Sequence, residues 1–354
     1  MRIAVTGANG LIGAQVVRSA ARQGHQVTAV VRPASDRRGL AGADAALAET
    51  ELDDQATLAN ALAGAQALIH CAGLFSYAAA PGELAEANVA GTAALLKCAR
   101  LLGVERVVVT SSSVTCGSSL LPETRSEVDR SAPDDSRPEY FASKLSQEET
   151  ARHIGADIGL DVVIACPTAV VGGPDWRLTP SNALIVGYLL NPLRTTSPAG
   201  GCNVVSVRDV ADAHVLLAEK GTPGERYLVG GENVTWQHFH ELLSELTGGT
   251  GPRTFATHTS AYLAASALEL AAKLTETTPL MTRAEAATMG QYYWYSSDKL
   301  ARLGYQPRSA RRALVEALGW LSTSPHVPRF ARSTFRLDPS VLEARELTPR
   351  PLAD

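Results

Sequence analysis

Tyr140 and Lys144 lie four positions apart in Tyr140-Phe141-Ala142-Ser143-Lys144, so on a helix both side chains share one face. A phenol with an ordinary pKa near ~10 is a poor base at neutral pH, but a neighbouring ammonium favours its ionised form. Such a pair can give or take a proton at an oxygen atom. Upstream, Val107-Val108-Val109-Thr110-Ser111-Ser112-Ser113 ends an apolar run in adjacent hydroxyls, which can position or polarise a substrate oxygen. Near the start, Thr6-Gly7-Ala8-Asn9-Gly10-Leu11-Ile12-Gly13 follows the apolar Ile3-Ala4-Val5 and precedes the helix-like segment Gln15–Arg22. There Gly7 supplies a tight turn, Gly10 admits a pyrophosphate close to the backbone, and Gly13 lets the helix pack closely on the strand. The free amides and positive dipole end of that helix would face the phosphates. Strand, glycine turn and helix in this order are the context of a dinucleotide site. With a nicotinamide there, hydride would pass between ring and substrate carbon while Tyr140 handles the proton.

The spacing G-x-x-G-x-x-G resembles that of the short-chain dehydrogenase/reductase superfamily, as does the Tyr140/Lys144 pair behind a serine-ended strand. Asn88-Val89-Ala90-Gly91-Thr92 resembles the N-V-x-G-T segment of the extended branch, and His70-Cys71-Ala72-Gly73 its H-x-A-G. Glu127 and Pro138 resemble the E…P spacing ahead of the tyrosine. Within that branch the chain looks like dihydroflavonol-reductase-like proteins and the hopanoid-associated sugar-epimerase-like group. The latter likeness extends to Gly230-Gly231-Glu232-Asn233-Val234-Thr235 and Leu303-Gly304-Tyr305-Gln306-Pro307.

The resemblance implies a catalytic set of Ser112, Tyr140 and Lys144, with Lys144 also bonding the nicotinamide ribose. Ser112 is picked by counting from Gly117, and Ser113 is the alternative; on an extended strand Ser111 and Ser113 should face away from Ser112. Implied cofactor contacts are Gly7, Asn9, Gly10, Leu11 and Ile12 in the turn, then Cys71, Ala72, Gly73, Asn88 and Thr110. Glu51-Leu52 resembles the D-L pair flanking adenine, with Glu in place of Asp, and Pro167-Thr168-Ala169-Val170 resembles the P-T-x-V segment at the carboxamide. Phe75, Ser76 and Tyr77, with Ser113 and Trp176, are expected at the substrate, and Arg177 beside Trp176. A homodimer through a four-helix interface is the family's habit.

Cofactor choice is written where the second strand ends. A carboxylate there would bond the ribose hydroxyl of NAD, whereas an arginine accommodates the 2′-phosphate of NADP. Val30-Val31 lead into Arg32, Arg37 and Arg38 follow, and Asp36 lies four residues past Arg32. NADP is therefore expected over NAD, held by Arg32 and Arg37.

Strands and helices must bring these residues together. Strand candidates are Arg2–Val5, Gln26–Val31, a weak one near Ala45–Ala48, Ala67–His70, Arg106–Thr110 and Asp161–Cys166, with Ala/Leu-rich segments between them. Such alternation predicts an α/β, Rossmann-type doubly wound parallel sheet. A smaller, mainly helical C-terminal substrate domain should follow. The expected division is 1–170 for the cofactor domain, with Val204–Val207 and Arg226–Val229 returning to its sheet within 202–230. Residues 171–201 and 231–324 would form the substrate domain, and 325–354 a C-terminal arm. Trp236–Leu246 reads as a helix capped by Thr235, and Ser260–Leu274 as a packed helix too short to span a bilayer, which takes about 20 apolar residues.

At 354 residues, 45% hydrophobic and 19% charged, the chain reads as an ordinary globular protein of two domains. A net charge of −4 argues against nucleic acid or an anionic membrane as partner. Its five cysteines show no metal-ligand pairing, and with a strand at the very start, the cytoplasm is the expected location.

These readings favour an NADP-dependent oxidoreductase acting on the carbonyl or alcohol of a small, fairly apolar metabolite. The alternative is an NAD-dependent nucleotide-sugar epimerase or dehydratase, and a non-enzymatic NADP sensor is a third. Against the epimerase stands Cys202-Asn203-Val204-Val205-Ser206-Val207-Arg208-Asp209, which aligns with the R-D-Y-I-H-V-x-D segment of such enzymes. Cys202 replaces the arginine that helps hold the diphosphate, and Arg208 lies six residues along, roughly 20 Å in an extended strand.

Overall fold

The computed structural model describes residues 1–75, 82–131, 139–191, 196–251, 254–256, 259, 263, 265–267, 269 and 290–347. The first half forms β1 (Arg2–Thr6), α1 (Leu11–Arg22), β2 (Gln26–Val31), β3 (Ala46–Glu49), α2 (Gln55–Leu62) and β4 (Ala67–His70). A short α3 (Glu83–Ala85) runs through a π turn, Glu86–Ala90, into α4 (Gly91–Leu101). Next come β5 (Arg106–Thr110), α5 (Glu139–Ile158) and β6 (Asp161–Pro167). Strands β5 and β6 are buried at nearly every residue, so they read as continuous apolar runs, as strands covered on both faces must. Helix α2 is capped by Asp54, whose carboxylate accepts from the amides of Ala56 and Thr57 at 3.1 and 3.2 Å. Helix α1 has Gly10 at that position, with no side chain to bond its first amides.

The second half adds β7 (Ala169–Val171), α6 (Pro180–Leu190), β8 (Thr196–Pro198), β9 (Gly201–Ser206), α7 (Val207–Lys220) and β10 (Arg226–Val229). It continues with β11 (Glu232–Thr235), α8 (Trp236–Thr247), β12 (Thr254–Ala256) and β13 (Tyr292–Tyr293). Thr235 caps α8, its hydroxyl accepting from the His238 amide at 3.1 Å.

Seven strands pair in parallel in the order β10-β6-β5-β4-β1-β2-β3. The order reverses between β1 and β4, and ligands of such sheets bind in the crevice beyond the carboxyl ends at that point. The glycine turn, Arg32, Cys71-Ala72-Gly73, the three serines and Pro167 all stand at such ends.

Two expectations are corrected. Arg226–Val229 returns to the sheet as β10, but Val204–Val207 does not. Its strand, β9, belongs to a second sheet, antiparallel to β11 and parallel to β7 and β13. The edge of β6 is taken by β10, while β7, leaving the sheet just after Pro167, carries β9 with it. The tail after Pro325, expected as an arm, is folded as far as Leu347. Helices Arg329–Arg332 and Pro339–Glu346 bury Ala331 and Val341 in the second core, beside Phe239, Leu243 and Leu314. Gly319 approaches the last helix so closely that a Cβ there would lie 3.0 Å from the Ala344 carbonyl carbon. The segment 260–274 lies for the most part outside the described residues. Among the described residues no helix is long and apolar enough to cross a membrane.

Candidate active site

The glycine turn leaves no room for side chains. Gly7 has φ +65°, and a Cβ there would meet the Ala72 nitrogen at 2.6 Å; one at Gly13 would run into the Gly7 carbonyl. The turn is thus pressed against the end of β4 and against the first residues of α1, whose uncapped amides point out of it.

This turn forms one end of a cavity of ≈ 2070 Å³. The segments that follow β1, β2, β3 and β4 contribute Gly7, Asn9, Gly10, Leu11, Ile12, Arg32, Glu51, Leu52, Cys71, Ala72, Gly73 and Phe75 to its wall. Ser111, Ser112, Ser113, Tyr140, Pro167, Thr168 and Val170 also line it. The chain beyond β7 supplies Arg177, Leu178, Leu184, Cys202, Asn203, Trp236, His240, Tyr293 and Tyr295. Most residues singled out in the sequence therefore converge on one space. Ser76 and Tyr77 lie outside the described residues.

Tyr140 enters the wall from the first turn of α5, its ring edge-on to Phe75 with centroids 4.6 Å apart. Lys144, one turn on, is buried just behind the wall with Nζ 6.0 Å from the Tyr140 ring centre. Nζ donates to the Thr110 carbonyl at 3.2 Å and to Gln147 Oε1 at 2.9 Å. It comes forward at Gly73, where a Cβ would lie 3.3 Å from it. Burial pulls the ammonium down to about 8. The five cysteines are free thiols, and burial pushes Cys71 up to about 12, so it stays neutral.

The serines differ in their surroundings. Ser111 Oγ turns back to donate to Glu148 Oε2 at 3.2 Å. Ser112 is extended, with φ −155°, and its hydroxyl accepts from the Val114 amide at 3.4 Å, starting the short turn Ser113–Cys116. Ser113 is buried near the Tyr295 phenol, which burial holds well above its ordinary value against a hydrogen bond with Ser113. Behind them, Glu148 and Arg226 form an ion pair at 2.8 Å, with side chains only 2% and 4% exposed. Burial pushes the Glu148 carboxyl up, and hydrogen bonds from Thr115 and Ser111 counter this.

Five expected residues are not on the wall, each for a visible reason. Lys144 and Thr110 lie one layer behind it. Asn88 is fully buried, clamping Leu74 by accepting from its amide at 2.7 Å and donating to its carbonyl at 3.0 Å. Arg37 is drawn to Glu49, 2.8 Å away. Trp176 is caught between the Arg38 guanidinium, 4.1 Å from its ring centre, and Trp320, so the wall is formed by its neighbour Arg177 instead. Arg38 itself pairs with Asp36 at 2.8 Å. Sequence reasoning missed Asn203, Trp236, His240, Tyr293 and Tyr295. Trp236 and His240 do stand four apart on one face of the helix that was recognised, which is the signal that was there to be read.

Residues 3–230 match the model of the NAD dependent epimerase/dehydratase family. The chain belongs to that family, as an extended short-chain dehydrogenase/reductase, and is an NAD(P)-dependent enzyme of that superfamily. It is similar to a putative dihydroflavonol 4-reductase of Synechocystis sp., 31% identical over 335 residues, covering 91% of this chain and 95% of that protein. It is also similar to sterol demethylase protein B of Methylococcus capsulatus, 36% identical over 255 residues, 72% of this chain and 76% of that protein. Among solved structures, gox2253 superposes with a TM-score of 0.80 at 31% identity, over 92% of this chain and 99% of that one. A dTDP-glucose 4,6-dehydratase, DesIV of Streptomyces venezuelae with NAD and DAU bound, shares the fold at TM-score 0.71 and 24% identity, over 92% of this chain and 98% of that one.

The residues present fit a dinucleotide. A cradle that any Cβ would fill, uncapped helix amides and Arg32 stand along one stretch of the wall.

Proposed function

We propose that the protein is an NADP-dependent oxidoreductase that interconverts a carbonyl and an alcohol on a small, fairly apolar metabolite. The observation that carries this reading is the shared cavity: Tyr140 and the serines open onto the same space as the glycine cradle and an apolar second-domain wall of Leu178, Leu184, Trp236 and Tyr293. The nicotinamide, when bound, supplies or accepts the hydride. Tyr140 gives the proton to the substrate oxygen or takes it away. Ser112 orients that oxygen, and Lys144 holds the ribose while its charge favours ionisation of Tyr140. The relatives named as reductases support the direction. Purified protein mixed with NADPH and a panel of ketones should lose absorbance at ~340 nm as hydride leaves the cofactor. No turnover with any apolar ketone, alongside turnover of a nucleotide sugar, would sink the proposal.

Arg32, on the wall at the end of β2, is the proposed partner of the 2′-phosphate. Arg32→Asp deletes that cation and adds an acceptor for a ribose hydroxyl, so preference should move from NADPH toward NADH. A charge-assisted hydrogen bond contributes roughly 1.5–3 kcal/mol, which is about 10- to 100-fold in affinity. Equal affinity of the wild type for both cofactors would remove Arg32 from this role.

The epimerase reading draws on one observation, that Arg177 reaches the wall from the second domain. It is the second domain's one wall cation among the described residues. Cys202 stands buried where an arginine would pair with a diphosphate, and Ser206 is occupied in capping α7. Arg208 is held back by Glu316, 3.9 Å away. UDP- and dTDP-sugars should therefore show no measurable heat of binding in calorimetry with cofactor present; micromolar affinity would promote the epimerase.

A further inference from the structure

We infer that Gln147 is a positioning residue for Lys144, presenting an obligatory carbonyl acceptor that aims the ammonium at the cavity and keeps it charged. The inference rests on the reading of Lys144 as the ribose-binding cation. Gln147 lies three residues after Lys144 on α5 and is fully buried. Its Oε1 accepts from Lys144 Nζ at 2.9 Å, and its Nε2 donates to Thr92 Oγ1 at 2.8 Å.

The direction of every bond in this chain can be deduced. The Thr92 hydroxyl gives its one proton to the Asn88 carbonyl, 2.7 Å away, so its oxygen can only accept from Gln147 and from His70 Nε2 at 3.0 Å. His70 must then carry its proton on Nε2 and accept at Nδ1, 2.7 Å from Thr6 Oγ1. A neutral ring is what its surroundings favour, since burial and then Lys144 pull it down to about 3. The Gln147 amide is thereby locked: a flip would aim its NH₂ at the ammonium and its carbonyl at an oxygen with no proton to give.

The same chain ties the start of the glycine turn, through Thr6, to β4, α4 and the catalytic helix. Among the described residues, the thiols, imidazole and phenol nearest Nζ carry no negative charge. The Cys71 and Cys166 thiols are pushed up by burial, His70 is neutral, and Tyr140 is a phenol 6.0 Å off. Glu148, the next residue, is committed to Arg226 and Ser111. Among these described groups, a neutral amide and the Thr110 carbonyl hold the charge.

The test is the pH dependence of nicotinamide-cofactor affinity, read by fluorescence titration without substrate, for wild type, Gln147→Met, Gln147→Glu and Lys144→Met. In the wild type, affinity should fall as pH rises through the Lys144 value of about 8, because the ammonium is then lost. Gln147→Met removes an acceptor from the charged form, so the fall should begin at lower pH, with affinity near neutrality weakened about 10-fold. Gln147→Glu adds a carboxylate beside the ammonium and should move the fall to higher pH. Opposite shifts are the signature of positioning; packing damage would not change sign. Coincident curves, or shifts of both variants in one direction, overturn the inference. Should Gln147→Met not fold, the nearly isosteric Gln147→Glu decides alone, an unmoved curve counting against. Lys144→Met should show no fall; if it retains one, the reading of Lys144 fails rather than that of Gln147. A wild type that binds only NADH refutes the NADP proposal, and the same titrations are then run with NADH.

Discussion

Tyr140→Phe should lower turnover about 10²–10⁴-fold, the usual contribution of a general acid or base, while cofactor affinity stays within a few-fold of wild type. The substitution removes one oxygen and leaves the ring. The edge-on contact with Phe75, centroids 4.6 Å apart, survives, so the first turn of α5 keeps its place. Lys144 also keeps both its acceptors, Thr110 and Gln147, and with them its seat behind Gly73. What is lost is the group that exchanges a proton with the substrate oxygen. Steady-state rates with the best ketone from the panel, together with a cofactor titration, separate these effects. Turnover within a few-fold of wild type would take Tyr140 out of the mechanism, and a collapse of cofactor binding would mean that its role is structural.

Arg226→Met should destabilise the fold by about 3–5 kcal/mol, the cost of leaving one partner of a buried ion pair uncompensated. Arg226 and Glu148 meet at 2.8 Å, and both side chains are almost wholly excluded from solvent. Arg226 also reaches Thr115 and the Cys116 sulfur, and Glu148 holds Ser111, so the pair braces the segment that carries the serines. Burial alone already pushes the Glu148 carboxyl up. Without the guanidinium, its folded-state value should rise further, so the penalty grows as pH climbs above the unfolded carboxylate value near ~4.3 and shrinks below it. Urea unfolding midpoints measured at two pH values check the sign. The double variant Arg226→Met/Glu148→Gln should recover part of the loss, because no bare charge then remains; an equal or greater loss would show that packing, not charge, dominates.

The parallel sheet was legible because buried strands advertise themselves. Gln26–Val31, Ala67–His70, Arg106–Thr110 and Arg226–Val229 have the bounds read from their apolar runs, and β1 and β6 each run one residue further at the carboxyl end. Even the weak third strand formed, as Ala46–Glu49. Where the chain stops alternating, local signals lose their force. Nothing within Val204–Val207 says which sheet it joins, because an apolar strand satisfies either; the prior claim of β10 on the edge of β6 decides it. The tail misled for a related reason. Its prolines and arginines are a surface composition, yet Ala331 and Val341 are buried in the second core, Phe335, Leu337 and Ala344 pack against it, and the Arg336 and Asp338 amides donate to the Thr247 and Leu246 carbonyls.

By itself the sequence determined the glycine turn, the order of the strands that feed it, and the Tyr140/Lys144 pair with a serine-ended strand ahead of it. Each depends on conformation within a few residues along the chain: a helix turn, an extended run, the positive φ of Gly7. Only the tertiary structure decided which of the chosen residues face the cavity. Arg32 and Arg37 look alike in sequence, but Glu49 on the neighbouring strand draws Arg37 away. Trp176 and Arg177 are adjacent, and Arg38 over the face of the indole with Trp320 edge-on to it leaves the wall to Arg177. The partners of Lys144 come from β5 and from its own helix, with Thr92 and His70 supporting them from elements distant in the chain. Side-chain direction is settled by competing partners brought together by folding, and those partners are not neighbours in the sequence.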